Sequence, residues 1–263
     1  MLLRRITKHV KDQNWFAVGI DFCIVVIGVF IGIQVANWND ARQQRASLTL
    51  AEADVNRDLL DTYFNAKERA SLRDCRISRI QTLSTLLLET EGLWNGPQHI
   101  MGSRSDDLAI DRVLRFPSRN WGSRIWEAEL TRGTFNLMDS TKRQNIDSIF
   151  KQSEHAERLQ GDLLSLGSRL KILSQRTEIS RSDRLRYFEV LSEIDEKSFS
   201  LELISGQISD SIEDLNIPVS EDYKAGVVVR FPAYIENRQE FYGDCAKIPE
   251  FYFLGADDEE ISP

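Results

Sequence analysis

One apolar run near the N-terminus constrains this chain more than any other feature. From Trp15 to Trp38 the sequence reads WFAVGIDFCIVVIGVFIGIQVANW, in which Asp21, Gln34 and Asn37 are the clearly polar side chains. A helix of this length, at about 1.5 Å per residue, covers roughly 35 Å and can cross a hydrocarbon core of about 30 Å. The run therefore predicts a transmembrane helix over residues 15–38, with a tryptophan at each membrane interface.

Two other interpretations of this run are open. One is the buried helix of a soluble protein. The other is a cleaved signal peptide, which has a shorter apolar region, no internal acid and a small-x-small cleavage site. The exit of the run, residues 34–37, reads Gln-Val-Ala-Asn and matches such a site poorly. We interpret the run as an uncleaved signal anchor.

The charges on the two sides of the run differ in sign. Residues 1–15 contain four Lys or Arg against one Asp, residues 39–53 contain two Arg, and residues 39–263 carry a net charge of −10. The positive-inside rule places the more basic flank in the cytoplasm. We therefore expect residues 1–14 to form a cytoplasmic basic tail and the bulk of the chain to lie in the periplasm or its equivalent.

Within the run, one helical face combines an acid with two glycines. Asp21, Gly28 and Gly32 fall within about 40° of one another at 100° per residue. Gly28 and Gly32 form a GxxxG motif, which lets two helix backbones approach closely, and an acid within a span usually faces protein, water or a partner charge. This face predicts a helix–helix contact. The alternative is an Asp21 that reaches the headgroups and glycines without a role.

The same segment resembles the N-terminal anchor of a known family. That anchor reads Gly-acidic, then Val-Ile-Gly, then a Gln-x-x-Asn-Trp-Asn-acidic end, and the matching residues here are Gly19-Ile20-Asp21, Val26-Ile27-Gly28 and Gln34-Val35-Ala36-Asn37-Trp38-Asn39-Asp40. The family consists of uncharacterised bacterial single-pass membrane proteins, defined as a domain of unknown function. Asp21 stands where the family commonly has Glu.

A second, shorter resemblance to this family lies at residues 126–139, which read WEAELTRGTFNLMD. Arg132 replaces the usual Ser before Gly133, and Lys142 stands where an apolar residue is expected. The resemblance implies a bacterial inner-membrane protein with an extracytoplasmic helical domain. It implies no activity, because none is established for the family.

Helical periodicity dominates the rest of the chain. Residues 39–92 contain no Gly or Pro before Gly92 and predict a long stalk helix continuous with the anchor. Residues 93–263 complete the domain, with short helices over 106–115 and 122–131 and a long helix over 140–175 in nearly heptad spacing. We expect a mainly α protein: one transmembrane helix continuing into a stalk and an antiparallel helical bundle.

The remaining elements follow from capping and turn signals. Ser180 and Asp183 match a capping box, so we expect helices over 182–196 and 200–215. Gly92 to Ser105 reads as a loop. Residues 227–232 are interpreted as a short strand or extended segment, and residues 251–254 as a segment that docks onto the bundle.

Three cysteines are present. Cys23 lies inside the apolar run as an inert side chain, whereas Cys75 and Cys245 lie in the part predicted to be exported. A pair in an oxidising compartment favours a disulfide, which here would join the stalk to the C-terminal segment. Two buried free thiols are the alternative.

The sequence carries no recognisable catalytic, metal or cofactor motif. The three histidines, His9, His99 and His155, lack metal-site spacing, and the chain has no GxSxG, phosphate-binding glycine loop or CxxC. The acidic balance also argues against a general nucleic-acid binder. We therefore predict no catalytic residue, no metal ligand, no cofactor and no nucleic-acid partner.

One region is dense in arginine and aromatic residues. An arginine–aromatic cluster can recognise an anion or anchor an interface, but nearby acids also offer pairing within the fold. We favour structural pairing with both tryptophans in the core. The possible recognition surface comprises Arg112, Arg115, Arg119, Trp121, Arg124 and Trp126.

Three functions are compatible with these features. We favour a non-enzymatic anchored subunit that associates with itself or with another membrane protein. The second hypothesis is a periplasmic sensor; since only about 14 residues precede the anchor, its signal would pass to a separate protein. The third is an envelope enzyme, which the missing motifs disfavour.

Overall fold

The computed structural model describes residues 15–95, 118–229, 231, 245–247 and 249–254. The fold is mainly α and begins with one very long helix, as predicted. The helices are α1 (Trp15–Ser71), α2 (Arg73–Glu89), α3 (Arg124–Arg132), α4 (Ser140–Arg169) and α5 (Arg181–Asp214). Short 3₁₀ helices span Thr134–Leu137 and Lys171–Ser174, two strands span Gly92–Trp94 (β1) and Thr177–Ile179 (β2), and residues 221–229 are also helical.

The anchor and the stalk form one helix, but the stalk ends earlier than predicted. α1 runs unbroken past Asn39, and the chain then breaks at Leu72 before α2 begins. At this joint the Ser71 carbonyl accepts a hydrogen bond from Lys247 N at 3.0 Å, instead of pairing within the helix. The break therefore comes from a tertiary contact with the C-terminal segment, which explains why the sequence around Leu72 carries no Gly or Pro.

α1, α4 and α5 build the core of the bundle. Lys142 Nζ of α4 lies 3.1 Å from Glu52 of α1, and Gln160 bonds Arg69 further along both helices, so α4 runs parallel to α1. α5 runs antiparallel to both, since its end, at Glu213, lies beside Tyr63. The α3–α4 end of the bundle is consequently the end nearest to the apolar part of α1.

α5 is one helix, and the prediction of two helices over 182–196 and 200–215 was wrong. Ser180 caps it as expected, because its hydroxyl accepts a bond from Asp183 N at 3.1 Å. No Gly or Pro interrupts residues 197–199, and Ser198 is buried. Without a breaker, burial of this continuous face favours a single long helix.

The predicted loop after Gly92 contains a strand at its start. β1 pairs antiparallel with β2, with Gly92 opposite Ile179 and Trp94 opposite Thr177. Trp94 is buried, and its Nε1 donates a hydrogen bond to Leu173 O at 2.6 Å. This two-stranded sheet closes the end of the bundle far from the anchor. The rest of the predicted loop from residue 96, and the predicted helix over 106–115, lie outside the described residues.

The prediction of an extended segment over 227–232 was also wrong, because residues 221–229 are helical. Ser220 starts this helix: its carbonyl accepts a bond from Lys224 N at 3.0 Å. Val227 and Phe231 are buried, whereas Val229 is exposed. Packing of one helical face thus outweighs the preference of a valine run for strands.

The aromatic segment at residues 251–254 docks onto the bundle as predicted. Its rings join a cluster near the C-terminal end of α1, where Phe231 lies 4.8 Å from Phe64 and 5.0 Å from Phe251 between ring centroids. Tyr252 also lies 5.3 Å from Tyr63. Edge-to-face pairs of this kind stabilise by about 0.5–1.5 kcal/mol beyond their buried area.

Candidate functional site

The apolar half of α1 projects from the bundle without packing against it. Among the described residues, α1 is the one helix long and apolar enough to cross a membrane, and none of the residues in its apolar window is buried. The bundle begins to cover α1 only around Leu48 and Ala51. The large exposed side chains are Ile20, Phe22, Ile24, Val25, Val26, Ile27, Val29, Phe30, Ile31, Ile33, Val35 and Trp38. This exposure distinguishes the segment from the buried helix of a soluble protein, although a signal sequence would pass the same test of length and composition.

The two glycines of the predicted contact face open space within this chain. A Cβ added at Gly28 or Gly32 would meet no atom within 4 Å. No packing against the described residues of this chain therefore requires glycine at either position. Asp21 lies in the helix on the same face by position, but its side chain is outside the described residues.

The predicted disulfide is present between Cys75 and Cys245, whose Cα atoms lie 5.0 Å apart. Cys75 belongs to the first turn of α2, next to the joint at Leu72. Leu72, Cys75 and Ala246 form a small buried cluster of their own. The bond thus holds the C-terminal segment against the joint between α1 and α2. Cys23 is free and exposed in the apolar half of α1.

The arginine–aromatic region supplies core and structural pairs rather than an open surface. Trp121 and Trp126 are buried, and Trp126 stacks on Phe135 with ring centroids 4.7 Å apart. Arg119 forms a bidentate ion pair with Glu68, with N···O distances of 2.5 and 2.8 Å. The favoured interpretation, structural pairing with both tryptophans in the core, is therefore confirmed for Trp121, Trp126 and Arg119, and the alternative of a recognition surface loses these three residues.

The other members of that predicted surface are not assembled with these three by the described structure. Arg124 is exposed at the start of α3. Arg112 and Arg115 lie outside the described residues. The helix that carries Arg124 begins at Ser123, whose hydroxyl accepts a bond from Trp126 N at 2.9 Å and donates one to Asp58 at 2.5 Å. Ser123 thus links the start of α3 to α1.

Gln160 joins several parts of this region by hydrogen bonds, a role that no sequence pattern indicated. Its Oε1 accepts bonds from Arg69 Nη2 at 3.1 Å, from Arg119 N at 2.9 Å and from Trp121 Nε1 at 3.3 Å. Its Nε2 donates to Arg119 O at 2.9 Å. A single amide in the leucine pattern of α4 looks like an ordinary surface residue, but here it fixes residues 119–121 against the bundle.

A second charged cluster joins α2 to α5. Arg76 is buried and bonds Glu202 at 2.6 and 2.9 Å and Asp195 at 2.5 Å. Burial opposes the charged form of Arg76, but the bonds to these two carboxylates outweigh it and hold the pKa of the guanidinium above its ordinary value. The cluster is fully engaged in pairing and holds α2 in place.

A tyrosine hydroxyl anchors the C-terminal segment. Tyr63 Oη donates to Glu213 at 2.8 Å and accepts a bond from Tyr252 N at 3.2 Å, while Lys67 lies 2.8 Å from the same carboxylate. Burial raises the pKa of Tyr63. Burial also acts to raise the pKa of Glu213, but the bonds from Lys67 and Tyr63 outweigh it, and this pKa lies below its ordinary value.

These clusters do not assemble a reaction centre. Within the described part of the chain, no group of three or more His, Cys, Asp or Glu side chains is placed to hold a metal ion. Glu213, whose pKa is lowered, is engaged by Lys67 and Tyr63, and the carboxylates of Glu202 and Asp195 pair with Arg76.

No protein family, no curated protein and no solved structure matches this chain. The resemblance of its anchor to a family of bacterial single-pass membrane proteins therefore stays a prediction.

Proposed function

We propose that this protein is a non-enzymatic, membrane-anchored subunit whose helical bundle serves as an interaction or scaffold module of a membrane assembly. The observation that carries this proposal is the apolar half of α1, which none of the described bundle covers. Each large apolar side chain left in water rather than buried costs about 1.5–3 kcal/mol. A bilayer removes this cost for side chains on every face of the helix.

The disulfide supports an orientation with the bundle outside the cytoplasm. Disulfides persist in oxidising compartments such as the bacterial periplasm. The Cys75–Cys245 bond lies in the bundle, on the C-terminal side of the apolar segment. This agrees with the positive-inside rule, since the flank at residues 1–15 holds four Lys or Arg and the flank at residues 39–53 holds two. We therefore propose a single-pass protein of the bacterial inner membrane with a periplasmic bundle.

The partner we propose is a second transmembrane helix, in another copy of this chain or in another membrane protein. Gly28 and Gly32 lie on one face and have open space over them. Glycines at this spacing allow close backbone contact in lipid, where packing drives association between helices. Since no packing within the described part of the chain requires these glycines, contact with another helix gives them a physical role.

Topology can be tested with an exposed residue of the bundle. Leu164 lies on the surface of α4, so Leu164→Cys provides a thiol for a membrane-impermeant maleimide in a Cys23→Ser background. We expect labelling in cells whose outer membrane has been permeabilised, without lysis of the inner membrane. Labelling only after lysis would contradict the proposed orientation. Release of the protein from membranes by carbonate would contradict the anchor.

The helix contact can be tested with a matched glycine. Gly28→Leu and Gly32→Leu place a bulky side chain on the proposed contact face, whereas Gly19→Leu places the same side chain roughly 140–180° away on the same helix. If the partner is a second copy, energy transfer between differently labelled copies in vesicles should fall for the first two variants and persist for Gly19→Leu. Crosslinking that traps neither a dimer nor a partner would contradict the proposed interaction role.

One observation favours the sensor as a second candidate. α1 joins the apolar segment to the bundle core without a break, so a shift of the bundle would move the membrane helix as a rigid rod. Deleting residues 2–12 tests this function, because a signal to a cytoplasmic partner needs the cytoplasmic tail. An unchanged phenotype would count against signalling and leave the scaffold role intact.

A further inference from the structure

The end of the bundle nearest to the anchor is a tight turn that lies beside the start of the stalk. This turn, Arg132 to Leu137, is here called the bundle tip. It faces α1 across an open groove of about 500 Å³, which is lined on the α1 side by Asp40, Gln43, Gln44 and Ser47. The bundle tip therefore reaches back along α1 almost to the end of the apolar segment.

The height of the tip above the membrane follows from helix geometry. Asp40 and Ser47 come two and nine residues after Trp38, so at about 1.5 Å per residue the groove starts about 3 Å and extends about 14 Å beyond Trp38. Headgroups add roughly 5–8 Å to each side of the hydrocarbon core. With Trp38 at the interface, the part of the groove nearest to the apolar segment lies at the level of the headgroups.

The tip presents an apolar side chain at this level. Leu137 is 55% exposed, while its neighbours on the same turn, Phe135 and Met138, are buried. The turn is held firmly: Gly133 ends α3 with a φ of 77°, and Thr134 Oγ1 donates to Glu129 at 2.6 Å. Leu137 is thus an exposed side chain on a fixed turn, at the wall of the groove.

We propose that the bundle tip rests on the bilayer, with Leu137 inserted among the lipid headgroups of the membrane that α1 crosses. This inference rests on the proposed anchor. The occupant is a lipid surface because the groove beside the tip begins at Asp40, two residues after Trp38, where the proposed membrane-spanning segment ends. A second contact with the bilayer would hold the bundle at a fixed tilt over the membrane.

The charges that line the groove indicate whether the contact needs anionic lipids. Asp40 lines it as an acid and Arg132 as a base, so the groove has no excess of positive charge. Attraction of a protein surface to anionic lipids needs clustered Lys or Arg. We therefore expect the contact in phosphatidylcholine alone, and no requirement for phosphatidylglycerol.

The test measures the depth of single labelled positions in the full-length chain. An environment-sensitive fluorophore is attached at Leu137→Cys, Ile172→Cys or Ile27→Cys in a Cys23→Ser background, and each protein is reconstituted into phosphatidylcholine vesicles with or without spin-labelled lipid. Cys75 and Cys245 are bonded and do not react. Ile172 is the matched control, because it is an apolar residue, 46% exposed, of a 3₁₀ turn at the opposite end of the bundle.

We expect strong quenching at Ile27 and roughly twofold or greater quenching at Leu137 relative to Ile172, as suits a side chain at the headgroup boundary. Equal quenching at Leu137 and Ile172, with Ile27 quenched, would overturn the tip contact and leave the anchor in place. Absence of quenching at Ile27 would instead overturn the proposed anchor. The two failures are thus distinguishable.

Two further outcomes decide the occupant. A blue-shifted emission at Leu137 that spin-labelled lipid does not quench would mean that protein, such as a second copy, covers the tip, and would overturn the lipid contact. Quenching that appears only when phosphatidylglycerol is added would also overturn it, since apolar insertion does not need anionic lipid. Comparable quenching in both lipid compositions supports the proposal. Leu137 is exposed, so its replacement should leave the fold unchanged, which circular dichroism checks.

Discussion

The two halves of α1 share one continuous backbone but differ in what surrounds their apolar side chains. Over residues 22–38 the apolar side chains occupy all faces of the helix, and all of them are exposed. From Ala51 onward they recur at intervals of three or four residues and are buried against α4 and α5. The buried series is Ala51, Val55, Leu59, Tyr63 and Ala66.

The difference shows that the pattern of apolar residues, and not helix continuity, reports the surroundings of each half. A helix that is apolar all round suits a uniformly apolar solvent, whereas a stripe suits a bundle with water on the other side. Polar groups follow the same division. The half of α1 from Ala51 onward, here called its lower half, buries Glu68 and Arg69. Both have partners in the bundle: Glu68 pairs with Arg119, and Arg69 donates to Gln160.

The sharpest test of this contrast uses one substitution at two positions of α1. Leu59 is fully buried, whereas Leu50 is 69% exposed. Leu59→Ala should lower the free energy of unfolding by about 3–4 kcal/mol, since it removes buried methyl groups and leaves a cavity. Leu50→Ala should change it by less than about 0.5 kcal/mol. Urea unfolding in detergent, followed by fluorescence of the buried tryptophans, measures both.

Similar losses at Leu59 and Leu50 would break the comparison, because they would mean that the bundle covers α1 on more than one face. A negligible loss at Leu59 would mean that the stripe does not form the core.

Removal of the disulfide should have the next largest effect on stability. It compares a cysteine pair of the bundle with Cys23 in the exposed half of α1. Replacing both Cys75 and Cys245 by Ala should destabilise the bundle by about 2–4 kcal/mol, because the unfolded chain regains the freedom of a long loop. Cys23→Ala, in the exposed half of α1, is the control and should leave the unfolding curve unchanged. If addition of reductant to the unaltered protein shifts its unfolding midpoint no more than it shifts that of the double variant, the bond contributes nothing.

Sequence patterns predicted the elements that local residues determine. The apolar run, the Ser180 cap and the end of α3 at Gly133 depend on residues close in the chain, and they were predictable. The break at Leu72 and the role of Gln160 were not, because both depend on contacts with residues that are distant in sequence. Gln160 shows the limit of prediction from local sequence, since nothing in α4 itself distinguishes it from a surface amide.

A third prediction compares a buried arginine of α2 with an exposed one. Arg76 is buried between Glu202 and Asp195, whereas the neighbouring Arg73 is half exposed and lies 3.6 Å from Glu202. Arg76→Met should cost about 2 kcal/mol, because it leaves Glu202 buried with a weaker partner. Arg73→Met should cost less than about 0.5 kcal/mol. Thermal unfolding compares them. Equal losses would mean that the two arginines contribute equally to holding α2.

The smallest expected effect concerns the hydroxyl of Tyr63, which joins the lower half of α1 to the C-terminal segment. Tyr63→Phe keeps the ring in its aromatic cluster but removes the bonds to Glu213 and Tyr252 N. At neutral pH we expect a loss of about 1 kcal/mol, the usual net contribution of such a bond. Tyr252→Phe, which removes only the bond to Ile217 O, is the control for deletion of a hydroxyl.

The pH dependence identifies the partner of this hydroxyl. Because the pKa of Glu213 is lowered in the folded protein, its ionised form stabilises the fold above the ordinary glutamate value of about 4.3, and this stabilisation disappears as the pH falls through the lowered pKa. Tyr63→Phe removes one bond to the carboxylate and should bring its pKa closer to the unfolded value. Unfolding curves between pH 3 and pH 7, roughly the range of that titration, should then show a shallower loss of stability at acid pH than in the unaltered protein. An unchanged acid slope in Tyr63→Phe would mean that Lys67 and Ser209 lower the pKa of Glu213 without the tyrosine, and that the hydroxyl acts only through the C-terminal segment.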